Sequence, residues 1–189
     1  MGTTALVAEL LVVGIQAVAW IAIFVIAGSS RTALSELLSL AQDSSGLVIG
    51  FIVAAAYTAG VLMDRLTDSL FSPIDKRIRR NVIKKKYFSV PRARLFVMQH
   101  GENMSSFLEY VRSRLRIARA TGVNLAIGTL ATIVLLAKCN VGFSVLAATA
   151  LVGLALAGTA FYVWRRITRT YYKRLFQAWQ IARSASGGA

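Results

Sequence analysis

Four blocks of apolar sequence constrain this chain more than any other feature, because each is long enough to cross a bilayer. They run from Leu6 to Gly28, Gly46 to Met63, Ala120 to Ala137 and Val141 to Trp164, and Glu9 is the one charged residue in all of them. A hydrocarbon core needs about 17 to 25 such residues at 1.5 Å rise each. Lipid offers the backbone no hydrogen-bond partners, so apolar stretches of this length fold as helices. The first block has no basic stretch before it and exceeds the apolar core of a signal peptide, so it reads as a span. With 56% hydrophobic and only 16% charged residues, the fold class is an all-α polytopic membrane protein.

The cations are as unevenly placed as the apolar blocks. Residues 64–119 hold fourteen Lys and Arg against five acids, and residues 165–189 hold six and no acid, which leaves Arg31 and Lys138 as the rest of the twenty-two. Positive charge is retained on the cytoplasmic side, and four spans put both termini on one side. The expectation is therefore an inner (plasma) membrane protein with cytoplasmic termini. The chain divides into a first transmembrane hairpin (1–63), a basic cytoplasmic segment (64–119), a second hairpin (120–164) and a basic amphipathic helix with a disordered tail (165–189).

Between the first two spans, residues 31–43 place Leu34, Leu37, Leu38 and Ala41 on one face, which predicts an outer amphipathic helix. After the second span, Ser72-Pro73-Ile74-Asp75 has the form of a helix start: a capping Ser, Pro at the first helical position and an acid at the third. The run that follows carries Lys76, Arg77, Arg79, Arg80, Lys84, Lys85 and Lys86 around a thin strip of Ile74, Ile78 and Val82. Val90-Pro91 breaks that run, a short helix is expected from Pro91 to Gln99, and another begins near Ser106 and enters the third span. Beyond Trp164, an apolar stripe of Ile167, Tyr171, Leu175, Ala178 and Ala182 faces away from Arg165, Arg166, Arg169, Lys173 and Arg183. The last residues, Ser184 to Ala189, are expected to be disordered.

Several polar groups sit where a membrane makes them costly. Glu9 and Gln16 share a face of the first span with Trp20, and Asn124 lies in the third span. Such groups face protein or water, so these three are candidates for a pore lining or for interhelical hydrogen bonds. Asp64 and Asp68 lie one turn apart where the second span ends, and the helix dipole disfavours acids there. An ion-pair network with Arg112, Arg116 and Arg119 of the antiparallel third helix accounts for them; a carboxylate pair for lipid chemistry is the alternative. Rows of small residues, Gly46, Gly50 and Ala54 in the second span and Gly153 and Ala157 in the fourth, permit close helix packing within one chain or between copies.

No phosphate-cradling glycine loop, catalytic triad or metal-ligand spacing occurs, and no cofactor or metal is expected. Cys139 and His100 each stand alone. The exposed aromatics that nucleic-acid binding interleaves with cations are scarce, so nucleic acid is disfavoured. The leading functional expectation is a non-enzymatic, homo-oligomeric, pore-like membrane protein, of the kind that serves as a membrane effector. Its basic layer, from Lys76 to Arg94 with Arg112, Arg116 and Arg119, together with Arg165 and Arg166, binds anionic lipid headgroups or an anionic ligand. The alternative is a non-conducting adaptor that docks a cytoplasmic protein partner, and the third reading is a small lipid-modifying enzyme using Asp64 and Asp68.

Overall fold

A computed structural model describes residues 3–30, 32, 35, 39, 45–83, 89–100 and 102–186. It is all-helical: α1 (Thr3–Gly28), α2 (Ser45–Val82), α3 (Val90–His100), α4 (Glu102–Lys138) and α5 (Phe143–Ser186). Four of these, all but α3, are long and apolar enough to cross a membrane. Thr32, Ser35 and Ser39 are helical; the rest of the expected outer helix, and Lys84, Lys85 and Lys86, lie outside the described residues.

Length shows why the molecule has two parts. The 38, 37 and 44 residues of α2, α4 and α5 are each about 55 to 66 Å long, roughly twice a hydrocarbon core. All three project from the spanning part at the basic end. There, with α3, they form a base that has its own hydrophobic core, built from Ile78, Val97, Leu108, Trp164, Tyr171 and Leu175 among others. The stripe along α5 is what fills this core: Leu175 is fully buried and Trp164, Tyr171 and Ala178 are nearly so.

The segment boundaries at 63/64, 119/120 and 164/165 all fall inside unbroken helices. The predicted helix start at Ser72 is absent, because α2 runs straight through Pro73. Proline removes one backbone bond and crowds the preceding turn, yet contacts on both sides hold this helix. Phe71 packs edge-on against Trp164, 4.7 Å between ring centroids, and Ile78 enters the base core. The C-terminus differs as well: Ser184 to Ser186, expected to be disordered, complete the last turn of α5.

In the spanning part α1 is central. It runs parallel to α4, with pairs at nearly constant offset from Glu9–Ser113 to Ser29–Lys138, and antiparallel to α2. A Cβ at Gly14 would overlap the Ala56 carbonyl, and one at Gly60 the Leu10 carbonyl, so α1 and α2 touch backbone to backbone. α4 turns into α5 through Asn140, whose φ of 54° is left-handed. Its N–H donates to Ala137 O and that of Val141 to Leu136 O, a Schellman stop with Asn in place of Gly.

Candidate functional site: a basic recess where the spans meet the base

The second and fourth helices approach each other at the level where α1 begins, and their polar residues enclose a recess of about 590 Å³. α2 contributes Arg65, Lys76 and Arg79, α3 contributes Arg94, and α4 contributes Arg112, Arg116 and Arg119. Against these seven cations stand Asp64, Asp68 and Asp75. Glu9, which approaches Arg116 at 3.9 Å, and Glu109, whose carboxylate acts electrostatically on Arg94 and Arg112, bring the positive excess among the described residues down to two. Trp164, Tyr171 and Tyr172 of α5 line the same space, and Leu6, Leu10 and Val61 form an apolar lip on the side of the spans.

The carboxylates are already engaged. Arg119 donates to Asp68 at 2.6 Å and to Asp64 at 3.3 Å, so one guanidinium joins α4 to two successive turns of α2. Arg116 goes instead to Glu9 of α1, whose carboxylate also accepts from the Ser113 hydroxyl. The Tyr172 hydroxyl donates to Asp75 at 2.6 Å. Among the described residues, no carboxylate lies within 4.0 Å of Arg79, Arg94 or Arg112. Arg119 Nε is buried without a hydrogen-bond partner.

The network predicted for Asp64 and Asp68 therefore has one hub, Arg119, while Arg112 and Arg116 face other company. Lys76 and Arg79 line the recess, but Arg77, Arg80, Arg165 and Arg166 do not; these four and Lys76 are exposed, while Arg79 is half-buried. Arg94 closes the basic layer expected to bind an anion, whereas Asp75 and the two tyrosines complete the site without having been expected in it. The signal for Tyr171 was its place in the α5 stripe; Tyr172, one residue away, follows once that stripe turns inward.

The intramembrane polar residues are used between α1 and α4. Asn124 donates to Val13 O at 3.0 Å and to Gln16 Oε1 at 3.3 Å, and accepts from Trp20 Nε1 at 3.1 Å. Thr121 also donates to Gln16. Gln16, Trp20 and Asn124 sit at one end of a cavity of about 790 Å³ bounded by α1, α4 and α5. Its hydroxyls from Thr129, Thr132 and Thr149 are turned back onto their own helices.

The small-residue rows divide. Gly153 packs directly on the Thr129 side chain and Ala157 approaches Gly122, so that row serves the α4–α5 contact. Among the described residues, Gly46 and Gly50 meet nothing within 4 Å and Ala54 is exposed, so this row packs against none of them. The row that α2 does use, Ala56 and Gly60, lies on its other side. Cys139 is exposed in the α4–α5 turn, and the side chain of His100 lies outside the described residues. Compared with models of protein families, with curated proteins and with solved structures, the chain matches none.

Proposed function

We propose that this is a homo-oligomeric, pore-like membrane protein whose base lies in the cytoplasm and binds an anionic ligand or anionic lipid. The observation that carries the reading is the recess, where cations from three helices converge with fewer acids than are needed to neutralise them. A cleft that gathers like charge in this way attracts anions strongly, and low-dielectric walls focus the field. Because α2, α4 and α5 run unbroken from the recess into the spans, an anion that draws their basal halves together also acts on their membrane halves.

Oligomerisation gives the bare surfaces of the spans a role. The Gly46, Gly50 and Ala54 row offers close approach to a second copy. A neighbour laid over the lateral cavity would turn its Gln16 and Asn124 end into part of an enclosed path. A carboxylate-dependent lipid enzyme is less favoured, because Arg119 holds both Asp64 and Asp68.

Reconstitution tests the reading. A verified oligomer in liposomes should give a conductance that depends on anionic lipid or salt and changes in Gln16→Ala. Silence from such an oligomer, with and without anionic lipid, would refute the pore. A cytoplasmic protein partner captured by the full chain and lost on reversing the exposed charges of Arg165, Arg166 and Arg169, which lie outside the base core, would move the assignment to the adaptor.

A further inference from the structure

We infer that the recess is a site for a phosphate-bearing ligand with at least two negative charges, held by Arg79, Arg94 and Arg112. This rests on the anion-binding reading above and narrows it to one place and one chemistry. The three guanidinium groups come from α2, α3 and α4, line one volume and have no carboxylate within 4.0 Å among the described residues, although the Glu109 carboxylate acts on Arg94 and Arg112 from farther away. The acids nearby are drawn to the walls: Asp64 and Asp68 to Arg119, and Asp75 to the Tyr172 hydroxyl. What remains open is a set of planar, permanently charged forks, and phosphoryl oxygens satisfy such forks two at a time.

The charge sets the valence. With Glu9 and Glu109 counted, the recess carries an excess of two positive charges among the described residues, so a monoanion leaves repulsion in place while a doubly charged phosphate offsets it. The volume of about 590 Å³ accommodates a headgroup-sized molecule. Leu6, Leu10 and Val61 then decide between two sources of the same chemistry. A phosphorylated lipid lays its glycerol and chains along this apolar lip, whereas a soluble phosphate ester leaves it uncovered.

The test uses the full chain in nanodiscs. In neutral phosphatidylcholine, inorganic pyrophosphate is titrated by calorimetry; in a second arm, cardiolipin is included and its retention is read by native mass spectrometry. Arg94→Gln and Arg112→Gln should each weaken whichever ligand binds by about tenfold or more, the worth of a charge-assisted hydrogen bond. Arg114→Gln should change it less than twofold, because Arg114 lies over the Tyr110 ring outside the recess. Without ligand, the thermal midpoints of Arg94→Gln and Arg112→Gln should equal or exceed that of the unmodified protein, since each removes like-charge repulsion. Arg112→Lys keeps the charge without the fork and should bind with intermediate affinity.

Pyrophosphate binding in neutral discs identifies a soluble phosphate ester, and cardiolipin that pyrophosphate does not displace identifies a headgroup. Either supports the site if both glutamine variants lose it. Anion binding that survives both variants and falls instead in Arg77→Gln with Arg80→Gln overturns the recess assignment and leaves the broader reading standing. If the unmodified protein binds neither probe, both fail.

Discussion

From Phe143 to Phe161, α5 turns most of its side chains outward, with Leu151 71% and Leu154 70% exposed, whereas three turns past Trp164 the same helix buries Leu175 completely. α1 behaves in the opposite sense: it is central among the spans and ends where the base begins. The two regions are held together by different physics. In the spans there is no water to expel, so helices gain by close approach, and the tightest contact joins Gly14 and Gly60 to facing carbonyls. In the base, water drives large side chains inward, and the contacts are Trp164, Tyr171, Tyr172 and Leu175 against Ile78, Val97 and Leu108. One helix can therefore be peripheral in one solvent and central in the next.

The sharpest way to break this comparison is to put bulk where the spans touch through backbone. Gly14→Leu should be the most damaging change in the molecule, because its side chain must displace the α2 backbone rather than a flexible neighbour. We expect a loss of about 4 kcal/mol or more, seen as failure to recover a monodisperse peak in detergent. Gly50→Leu, on the same pair of helices but with nothing within 4 Å, should leave the folded chain intact and alter oligomeric state alone. Equal damage from both would mean that the two faces of α2 are not distinct.

The base should answer to a different kind of change. Leu175→Ala removes a fully buried side chain from a water-driven core and should cost about 3 to 5 kcal/mol. Limited proteolysis of the base should rise while the spans stay protected. Simultaneous loss of both regions would show that the continuity of α2, α4 and α5 makes them one cooperative unit.

Much of this division can be read from the sequence, for reasons specific to each element. The four apolar blocks are legible because bilayer thickness fixes a length, and the α5 stripe because Ile167, Tyr171, Leu175 and Ala178 recur at helical spacing. Two features resist. Pro73 after Ser72 looks like a helix start, and only the packing of Phe71 on one side and Ile78 on the other keeps α2 continuous. The small-residue rows are ambiguous because α2 carries two of them, Gly46-Gly50-Ala54 and Ala56-Gly60, and spacing does not say which one meets α1. The recess was half legible: its cations stand out in the sequence, but the choice of Arg119 over Arg112, two turns away, for Asp64 and Asp68 depends on the register of α4 against α2.

Arg119 sits on the boundary between the regions and should show an effect of middle size. Arg119→Gln leaves Asp64 and Asp68 one turn apart without their shared partner. Asp68 is largely exposed while Asp64 is not, so solvent screens one pair and spares the other, and the expected loss is about 1 to 2 kcal/mol. Asp64→Asn should reproduce most of it and Asp68→Asn little. A thermal shift of equal size in both would place the weight on the exposed pair and contradict the burial argument.

The smallest effect belongs to the polar cluster between α1 and α4. Asn124 has both of its amide hydrogens and its oxygen in hydrogen bonds, to Val13 O, Gln16 and Trp20, and in water a group so fully engaged would be costly to replace. Within a bilayer the separated helices find other partners for Gln16 and Trp20, and such bonds average about 0.6 kcal/mol. Asn124→Leu should therefore lower stability by about 1 kcal/mol or less in a bilayer unfolding assay. It also adds apolar surface to a cavity that is already mostly apolar. A loss several times larger would mean that Asn124 fixes the register of α1 against α4, as a lone polar residue does in a coiled coil, and would carry the specificity of the spans from backbone fit to a single side chain.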